Sequence, residues 1–140
     1  MNVQAIIDEA NSWVGTPYHH HGRLKGVGVD CAMLLAEVFE RAGAVPHVDP
    51  GVYPPQFGMH RSEEQFIGFV ERYGQEVMLP MPGGVVLFKY GRCFSHGGVL
   101  VGGGLFVHAV LKAGMVLKSA LSEPEYAERE CRFYEVLYGR

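Results

Sequence analysis

Closely spaced cysteine pairs, a basic surface and long apolar runs are all missing from this chain, and each absence removes a class of protein. Only three cysteines occur in 140 residues, Cys31, Cys93 and Cys131, without a CxxC pair. That odd count and wide spacing argue against a disulfide framework and a structural zinc site, and leave at least one thiol free in the monomer. Charged residues make up 19% and the formal net charge is -3, so the basic footprint of a nucleic-acid binder is lacking. No apolar run approaches the roughly 18–20 residues of a membrane span. The opening, "MNVQAIIDEANSWVG", carries Asp8 and Glu9 and lacks the charged and apolar regions of a secretory signal. Cytoplasmic synthesis of a soluble protein is expected, with any action elsewhere depending on delivery by something other than its own signal.

What the chain does have is apolar material, 48% of residues, enough for one domain over residues 1–140. Val3, Ile6, Ile7, Ala10, Trp13 and Val14 recur at helical spacing up to Gly15, with Pro17 beyond. A second helix opens at Asp30, a suitable N-cap. Cys31, Leu34, Leu35, Val38 and Ala42 form one face, Glu37, Glu40 and Arg41 lie elsewhere, and Gly43 provides the stop. Residues 44–60 hold four prolines and no periodicity, which reads as a long ordered loop. "SEEQFIGFVERYG" then predicts a third helix, with Ser62 and Gln65 in capping-box spacing and Phe66, Phe69, Val70 and Tyr73 as its buried stripe.

Past Pro82 the pattern changes to β-rich runs: "GVVLFKY", "HGGVLVG", "GLFVHAV", "GMVLKSA" and "CRFYEVLYG". "VGGGLF" predicts a hairpin turn. Helices first and a meander second give an α+β domain, with a sheet of about five antiparallel strands.

The chemistry-bearing residues are few. An isolated cysteine is most often buried and inert. Cys31, however, falls in the first turn of the second helix, where unpaired N–H groups and the macrodipole favour a thiolate. A cysteine nucleophile needs a base, and the base an orienting partner. His96 and His108 lie about equally far from the glycine turn, so hairpin pairing would make them direct cross-strand neighbours on one face. His96 would then take the thiol proton and His108 fix its tautomer, a Cys–His–polar arrangement for acyl transfer.

"GTPYHHHGRLKGVGVDC" followed by "SHGGVLVGGGLFVHA", in the order Cys…His…His, resembles the NlpC family of cell-wall cysteine peptidases, which are small papain-like domains. The resemblance runs over roughly residues 3–138. It implies a papain-like minimal domain with Cys31 as nucleophile, His96 as base and His108 as third polar residue. Tyr18 is implied in substrate binding and support of the oxyanion, with Asp30 beside the nucleophile in the same binding region. The implied reaction is hydrolysis of peptide amides in peptidoglycan stem peptides, commonly between D-glutamate and the diamino acid, with no cofactor and no metal. Small size and the lack of wall-binding repeats resemble the branch carried in phage tails and gene-transfer particles, which implies phage tail proteins as partners. One departure stands out. Ala32 and Met33 follow the cysteine where the family usually has serine and glycine, which leaves specificity open.

Rival readings remain at this point. His19, His20 and His21 suggest a metal-dependent hydrolase, but adjacent residues point in different directions and rarely supply three ligands to one ion. A thiol amidase or acyltransferase acting on another amide or ester would use the same Cys–His pair. A non-catalytic tail-assembly or wall-binding module would be expected to have lost one of the three polar residues. Cys93 is expected to be a bystander and Cys131 a core residue; His47 and His60 are expected to be solvated. Arg23 and Lys25 are expected to be ordinary loop charges.

Overall fold

The computed structural model describes residues 3–49 and 60–137, the side chains of 60–66 excepted. In chain order it contains α1 (Val3–Ser12), β1 (Arg23–Leu24), β2 (Gly28–Val29), α2 (Cys31–Arg41), α3 (His60–Tyr73), β3 (Gly74–Val77), β4 (Val85–Tyr90), β5 (Cys93–Gly102), β6 (Leu105–Val110), β7 (Met115–Ala120), α4 (Pro124–Ala127) and β8 (Cys131–Val136). One sheet has six antiparallel strands in the order β3-β8-β4-β5-β6-β7, and β1 and β2 pair as a separate ribbon. β4 to β7 form the expected meander. The chain then passes through α4 and returns as β8 beside β4, with β3 outside it.

The core is split by the sheet. On one face Ile6, Trp13, Leu34 and Val38 of the helical side meet Leu87, Val99, Val107 and Val116. On the other, Val86, Phe88, Leu100 and Phe106 pack under Tyr126 of α4. Of the α1 stripe, Ile6, Ala10 and Trp13 are fully buried, whereas Val3 and Val14 are largely exposed. Trp13 donates from its indole N–H to Glu9 at 2.9 Å, and Lys25 closes the group with a 2.7 Å ion pair to the same carboxylate.

The stretch after α1 is threaded rather than looped. Gly15 donates to the Val116 carbonyl at 2.9 Å, Tyr18 to the Gly114 carbonyl at 2.8 Å, and His19 to the Val29 carbonyl at 3.0 Å. Thr16 is buried and accepts from the Gly26 N–H at 3.0 Å. "GTPY" therefore runs between β7 and the β1–β2 ribbon and is fixed on both sides.

α3 begins at His60, two residues ahead of the expected Ser62. The capping box and Phe66 concern side chains outside the described residues, as do residues 50–59 of the proline-rich loop. No helix of the described residues is long and apolar enough to cross a membrane.

Candidate active site

Asp30 has extended backbone (φ −107°, ψ −179°) and its side chain accepts from the Met33 N–H at 2.9 Å, so α2 starts at Cys31 as the sequence suggests. Its second oxygen accepts from the His21 N–H at 2.8 Å. Only 1% of Asp30 is exposed. It is therefore not a substrate-facing group: both oxygens are committed to backbone donors, and it ties the segment before the ribbon to the helix start.

Cys31 sits at that helix start, 5% exposed. Its thiol donates to the Ser95 carbonyl oxygen at 3.9 Å, a long contact. The reason lies in β5. Phe88 pairs with His96 but Lys89 with Phe94, so Ser95 is the extra residue of a β-bulge. Phe94 turns into the helix-side core, and the Ser95 carbonyl faces the thiol, one residue before His96.

His96 and His108 come together, though not as direct cross-strand partners. Val99 pairs with Val107 and Leu100 with Phe106, and continuing that register sets Gly98, not His96, opposite His108. The two histidines are diagonal neighbours on one face, and their rings bridge the gap with Nε2 of His96 2.7 Å from Nδ1 of His108. Gly98 makes the crossing possible. A Cβ there would lie 2.9 Å from the Phe106 ring, 2.9 Å from the Val107 carbonyl oxygen and 3.2 Å from the His108 Cβ. The missed register follows from the position of the turn: Gly102 pairs with Leu105, so the turn is centred on Gly103–Gly104, later than the midpoint of the two histidines.

His108 is fully buried, and its Nε2 lies 2.7 Å from the Ser119 hydroxyl. Ser119 was not anticipated. It is a single polar residue on the Phe106 face of β7, a weak signal in sequence. Tyr90 packs edge-on to His96 at 5.9 Å, and Arg129 stacks over Tyr90 at 3.7 Å.

Burial and the Asp30 charge push the Cys31 thiol up to about 12, against the opposing pull of the backbone N–H groups of Ala32 and Cys31 itself. This overturns the expectation of a depressed thiol: the helix N-terminus acts as anticipated, but desolvation outweighs it. Burial, with help from Arg129, pulls His96 down to about 4. Burial and the neighbouring His96 pull His108 down to about 3. Tyr18, half-buried, is raised by burial and by the charges of Cys31 and Asp30, so it keeps its proton and stays a donor.

A stability prediction follows with a fixed sign. Between the ordinary histidine value of 6.5 and the folded values near 4 and 3, the unfolded chain binds more protons than the folded one. Stability rises with pH there, and is lost as pH falls from about 6.5 toward 4. The loss is on the order of a few kcal/mol. Thermal unfolding followed across that window should show a falling midpoint in wild type and a flatter profile in His96→Gln. A midpoint that is constant or rises on acidification would contradict the buried neutral pair.

The remaining candidates lie elsewhere. His20 and His21 stack on each other at 4.1 Å beside Asp30, and His19 is exposed. Arg23 does not face a cleft: it pairs with Glu37 at 2.7 Å and donates to the Val48 carbonyl at 2.9 Å. These partners explain why Glu37, expected on an outer face, is buried. Glu37, Glu40 and His47 bring ligand atoms within 4.8 Å of one another, but Arg23 and Arg41 already neutralise the carboxylates. That arrangement is an ion-pair network, and His47 belongs to it through Glu40 at 2.8 Å. Cys93 is buried, and Cys131 is half-buried and packs against the core cluster under α4. The side chain of His60 lies outside the described residues. Ala32 borders an apolar cavity of about 80 Å³ between α2, α3 and the sheet, lined also by Leu35, Phe69 and Tyr134.

Comparison with known proteins places this geometry in context. Residues 15–135 match the model of the NlpC/P60 family. The chain is 32% identical to the gamma-DL-glutamyl hydrolase of Bacillus subtilis over 120 residues, 84% of this chain and 25% of that protein. It is 30% identical over 129 residues to the Escherichia coli K12 protein named murein DD-endopeptidase MepS/murein LD-carboxypeptidase, 89% of this chain and 57% of that one. It thus spans about a quarter and somewhat over half the length of these relatives. Among solved structures, the NlpC/p60 domain of the peptidoglycan hydrolase SagA superposes with a TM-score of 0.62 at 23% identity, covering 94% of this chain and 97% of that one. NlpC1 from Trichomonas vaginalis gives 0.69 at 17%, covering 99% and 45%. Both share the small α+β fold of helices on an antiparallel sheet, and with the family match over most of its length, the chain belongs to the NlpC/P60 family.

Proposed function

We propose that this chain is a cysteine peptidase hydrolysing peptidoglycan stem-peptide amides at the bond from the D-glutamyl side chain to the diamino acid. The observation that carries the reading is the 2.7 Å bond from His96 Nε2 to His108, on the strand whose Ser95 carbonyl contacts the Cys31 thiol. It leaves His96 Nδ1 as the nitrogen able to take the thiol proton. The names of the two relatives, a gamma-DL-glutamyl hydrolase and a murein endopeptidase, support the substrate class.

The resting thiol of Cys31 and imidazole of His96 are both neutral, because burial disfavours both charges. Substrate binding therefore precedes proton transfer. The thiol turns from the Ser95 carbonyl to His96 Nδ1 and gives up its proton as sulfur attacks the amide carbon. Negative charge develops on the carbonyl oxygen, where the Cys31 N–H and the Tyr18 hydroxyl are the candidate donors. The C–N bond breaks, and the imidazolium returns its proton to the leaving amine. Water, deprotonated by His96, then cleaves the thioester to a free D-glutamyl carboxylate and the thiol. His108 holds His96 in the required orientation throughout. Where the family usually offers a serine hydroxyl, Ala32 has only a methyl group, and it borders the apolar cavity between α2, α3 and the sheet.

Carriage by a phage tail or gene-transfer particle, with tail proteins as partners, belongs to this proposal on the resemblance alone. The test of the reaction is mass spectrometry of purified muropeptides after incubation with the protein. A new free amine on the diamino acid is expected. Cleavage at a different bond, or intact muropeptides, would contradict the reading.

A further inference from the structure

We infer that Ser119 is a positioning residue of the catalytic relay, fixing the tautomer of His108 and through it the proton-accepting state of His96. The inference rests on the reading of Cys31 as nucleophile and His96 as base. β5, β6 and β7 are adjacent, and His96, His108 and Ser119 stand on the same face. Leu117 pairs with His108 and Ser119 with Phe106, so the step from His108 to Ser119 is diagonal, like the step from His96 to His108. The chain of polar groups thus runs straight across three strands, with both contacts at 2.7 Å.

A neutral imidazole has one N–H and one lone pair. With both ring nitrogens of His108 engaged, it must donate on one side and accept on the other. Two directions are possible. If His108 donates to Ser119, its Nδ1 accepts from the His96 Nε2–H, and His96 Nδ1 is bare and ready for the thiol proton. If Ser119 donates to His108, every proton reverses, His96 carries its hydrogen on Nδ1, and it cannot act as base. The serine hydroxyl can serve either direction, and the reading of His96 as base selects the first, in which Ser119 accepts from the His108 Nε2–H. His108 is fully buried and Ser119 is 8% exposed, under the rings of Phe106 at 4.4 Å and Tyr126 at 5.4 Å from His108. Solvent therefore has little access to reverse the direction.

The experiment combines nitrogen-15 spectroscopy of the histidines with steady-state kinetics on muropeptides. In wild type at neutral pH, both His96 and His108 should carry their hydrogen on Nε2. Ser119→Ala removes the acceptor, so the His108 hydrogen moves to Nδ1, the His96 hydrogen follows, and the two nitrogen types exchange in the spectrum. The kcat should fall about tenfold or more, as expected for a base in the wrong tautomer, while KM stays within about twofold. Ser119→Thr keeps the hydroxyl and should retain the wild-type tautomers and a kcat within about threefold. The inference is overturned if wild-type His108 carries its hydrogen on Nδ1, if Ser119→Ala keeps its tautomers or its kcat, or if Ser119→Thr loses as much as Ser119→Ala. Intact muropeptides with wild type would instead count against the functional reading, and the wild-type spectrum would still decide the tautomer.

Discussion

Cys31→Ala is expected to bring release of fragments from dye-labelled peptidoglycan down to background, a loss of at least about 10⁴-fold in kcat. The magnitude follows from what is removed. Without sulfur no thioester forms, and the remaining donors, the residue-31 N–H and the Tyr18 hydroxyl, have no attacking atom to assist. The fold should survive, because alanine fits a position 5% exposed and the Asp30 cap on Met33 does not involve the side chain of residue 31. A folded variant that retains activity would contradict the thiol mechanism, as would wild-type activity that is abolished by a chelator.

His96→Ala should be nearly as damaging, about 10²–10⁴-fold in kcat, the range of a general base. The shape of the residual activity is more telling than its size. Wild type holds His96 neutral above about 4 and Cys31 protonated up to about 12, so its rate should change little with pH around neutrality. With the imidazole gone, only pre-formed thiolate can attack, and the residual rate should climb steadily with pH through the alkaline range. His108→Ala removes the partner of Nε2 but leaves the base, so its loss should be smaller than that of His96→Ala. Wild-type rates in His96→Ala, or a residual rate flat in pH, would remove His96 from the role of base.

The helix start was legible because its signal is local. Asp30 before an apolar 3.6-residue pattern specifies a cap and a face, and tertiary packing did not override either. The meander was legible for the same reason, as alternating β-rich runs divided by glycine. β3 was not: "GQEV" is short, polar and directly continuous with α3, and it becomes a strand only by pairing with the distant β8. The pairing of His96 with His108 was read from turn symmetry, which sets the turn too early: Gly102 pairs with Leu105, and the shift between Leu100 and Gly102 makes up only part of the difference. The Cys31 thiol shows the same limit. A helix N-terminus can be seen in sequence, whereas the burial that outweighs it depends on what the sheet packs against it. Glu37 looked like an outer-face residue because its partners, Arg23 and Arg41, are brought to it by the ribbon and by one helical turn. Ser119 was invisible because a lone strand serine has meaning only once His108 lies beside it.

The central claim is that substrate, rather than the resting protein, activates Cys31. An electrophilic substrate analogue, a γ-D-glutamyl chloromethyl ketone, tests it most directly when the modified residue is mapped by mass spectrometry and its rate compared with that of iodoacetamide at neutral pH. The expected result is one adduct, on Cys31, formed far faster with the analogue than with iodoacetamide and in step with loss of activity. An adduct on Cys93 or Cys131, or equally fast labelling of Cys31 by iodoacetamide, would contradict it.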